Sequence, residues 1–353
     1  MNNTPLNSGF HMPAEWEKQT AVWLAWPHDT ITFPNGRLKK VEKIYAEIIK
    51  HLHESEDVEL LVLDEKMKNR VIKILTTAKI NLAKVTLHIT DYADVWIRDF
   101  GPTFITNPAI HELAWIKWQY NAYGNKFPDL LKDNEVFFAL RKTIDKRMFE
   151  AGFFNEGGAI EVNGQGIILA TEQCLLNKNR NPKILREEME KNLKDFLGAK
   201  KVIWLQKGLV NDHTDGHIDE LARFVAPNKI LCAYEENASE ENYKVLNDNY
   251  QTLIKATDNH NSPFEVIKLP IPHVVYDSTK PFEAGGKAPA SYTNFYIGNE
   301  MVLASVFNDV NDQRALEIIQ SCFIGRKVIP IDCSDVIYGG GGVHCMTQQE
   351  PKV

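Results

Sequence analysis

The sequence predicts an α/β fold, and three observations carry the prediction. Amphipathic stretches at helical spacing alternate with short β-rich runs along the chain. Polar, Gly-bearing motifs return at intervals of roughly sixty residues, as repeated structural units do. Finally, over 353 residues, of which 44% are hydrophobic, no Ser-rich or single-sign charge run separates two halves. The expectation of one domain per roughly 150 residues therefore yields to a single large domain spanning residues 1–353.

The elements follow in order. AVWLAW (21–26) reads as a strand, Arg37 to Glu54 as a helix with one apolar face, and VELLVL (58–63) as a strand. Lys66 to Ala78 repeats the helical spacing before the strand VTLHI (85–89). Val136 to Phe149 is a further helix, followed by the strand GIILAT (166–171), a helix from Ile184 to Leu197 and the strand KVIWL (201–205). KILCAY (229–234), Glu241 to Ala256 and FEVIKLP (264–270) give strand, helix, strand again. MVLASVF (301–307), Asp312 to Cys322 and KVIPI (327–331) repeat the alternation once more.

The recurring motifs are RDFGP at Arg98, NEGG at Asn155, DGHID at Asp215, EAGG at Glu283 and GGGG at Gly339. Five returns indicate five similar units, and a radial arrangement would bring their carboxylate-bearing strand ends to one centre. The periodicity fits a doubly wound α/β sheet equally well.

A net charge of −7 gives a nucleic-acid partner no electrostatic support and would attract a small cation. Five cysteines at wide spacing, without a CxxC pair, do not make a disulfide framework. Cys174, Cys232, Cys322 and Cys333 lie in or beside apolar runs and read as packed thiols. The opening MNNTPLNSGFHMPAEW has no apolar signal core, and no run approaches eighteen apolar residues. A cytoplasmic, non-membrane protein is the expectation. Trp115 and Trp118 read either as subunit contacts, leaving a homo-oligomer open, or as core.

Cys345 is different, because GGGGVHCMTQQEP (339–351) strips side chains from one approach to it. A thiol at such a cleared surface reads as a nucleophile, against the plainer reading of a Gly-rich turn over a buried Cys. In TDGHIDELARF (214–224), His217 and Asp219 stand two apart, which on a strand turns both to one face. His217 can exchange protons near neutral pH. His213, His217 and Asp219 also have the chemistry of metal ligands. VWIRDFGP (95–102) places Trp96, Arg98 and Asp99 before a Gly-Pro turn, with Arg98 free to pair with Asp94 or Asp99. Trp96 reads as core or as a cover for a planar cation. Glu156 and Glu283 each precede two glycines.

A guanidinium is planar, permanently cationic and presents N–H donors in a fork that carboxylates accept in pairs. Resonance protects its carbon from water, so a thiolate that forms a covalent intermediate divides one hard displacement into two easier ones.

MPAEWEKQTAVWLAWP (12–27), WIRDFGP, NEGG, TDGHIDELARF and GGGGVHCMTQQEP together resemble the agmatine deiminase family of the guanidine-modifying superfamily, over nearly the whole chain. The resemblance implies a five-bladed α/β propeller of pseudo-fivefold ββαβ units with no metal or organic cofactor. It implies Cys345 as nucleophile and His217 as general acid and base. Asp99 and Asp219 would clamp the guanidinium, Glu156 would support the site, and Trp96 would line it. The implied reaction hydrolyses agmatine to carbamoylputrescine and ammonia through an amidino-cysteine. Gly342, Val343 and Glu220 depart from the family pattern of Asn, Ile and Asn, so arginine and peptidyl arginine stay open as substrates. A binding module for cationic ligands, without turnover, and a metal-dependent amidinohydrolase are the readings outside this chemistry.

Overall fold

The computed structural model describes residues 4–276 and 285–353, so the EAGG motif's Glu283 lies outside the described residues. The chain runs through β1 (Gln19–Ala25), a helix (Arg37–Leu52), β2 (Asp57–Val62), a second helix (Glu65–Thr77) and β3 (Val85–Ile89). Next come β4 (Thr103–Asn107), β5 (Glu112–Gln119), a helix (Val136–Ile144) and β6 (Arg147–Phe154). The pattern repeats as β7 (Ile160–Val162), β8 (Ile167–Thr171), a helix (Arg186–Leu197) and β9 (Lys201–Leu205). It repeats again as β10 (Ala222–Ala226), β11 (Lys229–Tyr234), a helix (Tyr243–Leu253) and β12 (Glu265–Pro270). Last are β13 (Tyr296–Ile297), β14 (Met301–Val306), a helix (Asp312–Cys322), β15 (Lys327–Asp332) and β16 (Gln348–Pro351).

These strands form five small sheets, ordered β4-β5-β6, β7-β8-β9, β10-β11-β12, β13-β14-β15 and β16-β1-β2-β3. The doubly wound alternative requires one open sheet and does not fit. Every sheet has the same internal plan: the first strand is antiparallel to the second, and the second is parallel to the third across a helix. Five small sheets of one plan are consistent with a pseudo-fivefold repeat. In the fifth, β16 and β1 come from opposite ends of the chain, with Gln19 opposite Pro351 and Trp23 opposite Gln348.

The middle strands are buried along most of their length, so their apolar runs are nearly continuous. The helices turn an apolar face to these sheets; Val41, Tyr45, Ile48, Ile49 and Leu52 are the buried set of the first. The helix expected from Val136 to Phe149 stops at Ile144, where Asp145 adopts a left-handed conformation (φ 45°) and the chain turns into β6. Trp115 and Trp118 are buried, and the Trp118 indole N–H donates to Thr103 Oγ1 at 2.7 Å, so both belong to the core and neither reads as a subunit contact. Among the described residues no helix is long and apolar enough to cross a membrane.

Each sheet's first strand is preceded by a tight turn. Ile97–Phe100 leads to β4, Gly157–Ala159 to β7, Ile218–Glu220 to β10 and His344–Met346 to β16. The segment Ser291–Phe295 leads to β13, closed by Asn294 N–H on Ser291 O at 3.3 Å. These five turns carry the polar residues described next.

Candidate active site

The turns before β4, β7 and β10 meet at Gly158. A Cβ placed there would lie 2.6 Å from His217 Nδ1, 2.8 Å from Asp99 Oδ1 and 3.0 Å from Asp219 Oδ2. Only a residue with no side chain leaves that junction open. Gly158 N–H donates to Asp99 Oδ1 at 2.9 Å, and Tyr123 Oη–H donates to Asp99 Oδ2 at 2.8 Å. His217 lies between three carboxylates, with Nδ1 3.6 Å from Asp99 and 4.0 Å from Asp219, and Nε2 3.6 Å from Glu156. Cys345 Sγ is 3.8 Å from Asp219 Oδ2 and 3.9 Å from Glu220 Oε1. Cys345, His217, Asp99, Asp219 and Glu156 are thus one cluster, drawn from four turns.

The cluster is buried. Cys345 is only 5% exposed, so the glycines do not present it at a surface. They admit the protein's own side chains: a Cβ at Gly341 would lie 2.7 Å from the Trp96 indole and 3.1 Å from Cys345 Sγ. Trp96 therefore packs over the glycine run beside the sulfur, held by its N–H on Asp94 at 2.9 Å.

Burial dominates the electrostatics. It lifts the Cys345 thiol well above its ordinary range, and Asp219, Glu220 and Asp99 push the same way. In the free protein burial and these carboxylates together favour the thiol over the thiolate. Burial also raises Asp99 to about 6, against the pull of His217 and with Asp219 and Glu156 adding to the rise. For His217, burial favours the neutral ring but is outweighed by Asp99, Cys174 and Glu156, so its pKa stands well above the usual value and the protonated ring is favoured. Glu156 would be raised by burial, yet Arg180 and His217 hold it below the usual carboxylate range; Arg180 Nε meets it at 2.9 Å. Glu220 is raised well above its ordinary value by burial and by Asp219.

A second layer fixes these groups. His344 Nδ1 contacts Asp219 Oδ2 at 2.7 Å, and its Nε2 contacts Glu15 Oε2 at 2.9 Å. Glu15 also pairs with Arg223 at 2.9 Å, and Arg223 reaches Glu161 at 2.9 Å. All five residues are buried. Replacing Arg223 by Met would leave Glu15 and Glu161 with an uncompensated buried charge, a loss of about 3–5 kcal/mol. The expected result is a lower denaturant midpoint in chemical unfolding; an unchanged midpoint would mean that the network contributes nothing net.

Several expectations from the sequence need correction. His217 and Asp219 do not lie on a strand: His217 caps the 3₁₀ turn Ile218–Glu220, and the turn rather than strand alternation aims both side chains inward. Arg98 pairs with neither Asp94 nor Asp99; it reaches Glu15 at 3.7 Å and donates to Gln349 Oε1 at 2.6 Å. The trio His213, His217 and Asp219 does not converge. The metal-capable groups of three among the described residues are Glu156, Cys174 and His217; Asp219, Glu220 and Cys345; and Glu235, Glu240 and His273. His213 instead sits against Gly340, whose added Cβ would lie 3.0 Å from its Nδ1. Cys174 is more than packing, since its Sγ lies 3.6 Å from Glu156 Oε2.

The sequence reading missed Tyr123, Arg180, His344, Glu15 and Asn294. Asn294 Nδ2 donates to Cys345 Sγ at 3.1 Å and to Glu220 Oε1 at 2.9 Å. It is the contribution of the turn before β13. No glycine motif marks it, whereas Glu15 and His344 stood inside quoted motifs without an assigned role.

The scaffold is that of the deiminases. The agmatine deiminase of Enterococcus faecalis, solved catalysing its reaction, matches with a TM-score of 0.90 at 32% identity over 100% of this chain and 98% of its own. The agmatine deiminase of C. jejuni, solved as a Cys-to-Ser variant with substrate bound, matches with a TM-score of 0.85 at 29% identity over 97% and 96%. The family model described as Porphyromonas-type peptidyl-arginine deiminase matches residues 11–351. An agmatine deiminase of Pseudomonas syringae pv. tomato is 33% identical over 371 residues, covering 99% of this chain and 98% of the relative. The chain belongs to this deiminase family, as its motifs led one to expect.

Proposed function

We propose that this protein hydrolyses agmatine to carbamoylputrescine and ammonia, with Cys345 as nucleophile and His217 as general acid and base. The observation that carries the reading is the convergence of His217, Asp99 and Asp219 on the space kept open at Gly158, with Cys345 Sγ against Asp219 and Glu156 against His217. The names of its relatives support agmatine as substrate. In the same reading the five sheets are the blades of a propeller, and the chain is one catalytic domain. Its five free thiols suit a reducing cytoplasm.

A guanidinium entering between Asp99 and Asp219 supplies the positive charge that the buried thiol lacks, so the thiolate forms as substrate binds and its proton passes to solvent. The thiolate attacks the guanidine carbon. His217, already an imidazolium, gives its proton to the departing nitrogen, ammonia leaves, and an amidino-cysteine remains. Neutral His217 then takes a proton from water as the oxygen attacks, the C–S bond breaks, and the ureido product departs with the thiol restored. Glu156, kept ionised by Arg180, holds the other edge of the ring for both transfers.

A substrate-dependent thiolate has a chemical signature. 2-Chloroacetamidine, a cation shaped like the guanidinium, is expected to alkylate Cys345 at least about tenfold faster than neutral chloroacetamide at pH 7, read by peptide mass mapping. Equal rates would remove the proposed link between bound charge and sulfur reactivity.

Burial of the cluster favours a slender substrate over a protein chain. Each arginine beside it is engaged: Arg98 with Gln349, Arg180 with Glu156, and Arg223 with Glu15 and Glu161. None of these guanidinium groups is left over to receive an α-carboxylate. Side-by-side assays of ammonia release should therefore favour agmatine over arginine and a peptidyl arginine by at least about a hundredfold in kcat/KM. Comparable rates on arginine would overturn the choice of agmatine.

A further inference from the structure

We propose that Asn294 is a positioning residue of the reaction, acting through the sulfur: its side-chain amide aims Cys345 Sγ and stabilises the thiolate. The inference deepens the reading of Cys345 as nucleophile and rests on it. Asn294 is buried in the turn before β13 and holds the turn of Cys345 on two sides. Its Oδ1 accepts from His344 N–H at 2.9 Å and from Cys345 N–H at 3.4 Å. Its Nδ2 donates to Cys345 Sγ at 3.1 Å and to Glu220 Oε1 at 2.9 Å.

The two backbone N–H groups fix the orientation of the amide. If it were flipped, donors would face donors, so the NH2 group must face the sulfur and Glu220. Ser305 holds the main chain from behind, its Oγ–H donating to Asn294 O at 2.9 Å and its Oγ accepting from Val343 N–H at 3.0 Å. Gly342 makes room, since a Cβ there would lie 2.7 Å from both Asn294 Oδ1 and Ser305 Oγ. The departure from the family pattern at this position thus has a physical counterpart: a side chain at 342 would compete with Asn294 for the same space.

Among the sulfur's polar neighbours, Asp219 and Glu220 oppose a thiolate by charge or lone pairs. The amide of Asn294 supplies an N–H that strengthens as negative charge develops on sulfur. Its second hydrogen bond holds the Glu220 carboxyl alongside.

The test is the pH–rate profile of Cys345 alkylation by iodoacetamide, read by peptide mass mapping so that the other four cysteines do not contribute. Asn294→Asp is nearly isosteric, keeps the acceptor for the two N–H groups and removes the donor to sulfur. Asn294→Ala removes both, and Ser305→Ala loosens the turn without touching the sulfur. The rising limb is expected to move up by about one pH unit in folded Asn294→Asp and Asn294→Ala, about tenfold slower at a fixed pH, and to stay in place in Ser305→Ala. An unmoved profile in folded Asn294→Asp overturns the proposal, and so does an equal displacement in Ser305→Ala, which would make it a matter of turn geometry alone. Should Asn294→Ala fail to fold, the uncharged, near-isosteric Asn294→Leu takes its place, since the charge added in Asn294→Asp would itself raise the thiol's pKa. Alkylation needs no turnover, so the two readings separate. Wild-type protein that releases no ammonia from agmatine sinks the deiminase reading, while a displaced profile still supports the role of Asn294 at the sulfur.

Discussion

Cys345→Ala is expected to lower ammonia release from agmatine by at least about a thousandfold with the thermal unfolding transition nearly in place. The size of the loss follows from the chemistry. Without sulfur, water must attack a resonance-stabilised carbon directly, and the remaining carboxylates and imidazole can only bind and orient. The fold should tolerate the change because Cys345 sits on a turn anchored by its neighbours: Val343 N–H is held by Ser305, and His344 by Asn294, Asp219 and Glu15. A variant that kept more than about a thousandth of the wild-type rate would end the case for covalent catalysis by this residue. Acid-quenched wild-type protein should, in turn, carry an amidine adduct on the peptide containing Cys345.

The second large effect is expected from a single methyl group. Gly158→Ala would put a carbon 2.6 Å from His217 and 2.8 Å from Asp99, closer than real Cβ contacts come, and 3.0 Å from Asp219. The backbone of Gly158 is not in the left-handed region, so strain there is not the cause. The three side chains would have to part, and the spacing between Asp99 and Asp219 that the proposed reading assigns to a planar cation would be lost. A fall of at least about a hundredfold in kcat/KM is expected, because small displacements of reacting groups carry penalties of that order. Gly152→Ala is the control, since nothing lies within 4 Å of its added Cβ. Full activity in Gly158→Ala would show that substrate does not occupy this junction.

Much of the fold was legible because the middle strand of each sheet is covered on both faces and so spells an apolar run. β8, β11 and β14 read directly. β5 did not, because Lys117 interrupts its run; the ammonium is buried and satisfied by Asn134 Oδ1 at 2.8 Å, a tertiary contact with no local trace. β16 (QQEP) is polar and exists as a strand because β1 lies beside it. The candidate site was legible where glycine marks a close approach, as at Gly158 and Gly341. It was illegible where an ordinary residue arrives from another unit, as with Asn294, Arg180 and Tyr123. The wrong partner for Arg98 has the same origin: Glu15 and Gln349 are remote in sequence and adjacent only once β16 is in place.

The joining of β1 to β16 also governs when reactivity can arise. Pairing segments more than three hundred positions apart is a slow, entropically costly closure, so that sheet is expected to settle after the units whose strands are near neighbours. The turn of Cys345 precedes β16, and its acidic neighbours come from units expected to assemble earlier. A polypeptide caught midway through maturation would therefore hold its sulfur apart from the acidic groups proposed to receive a cation, and only the finished molecule could bring the two together.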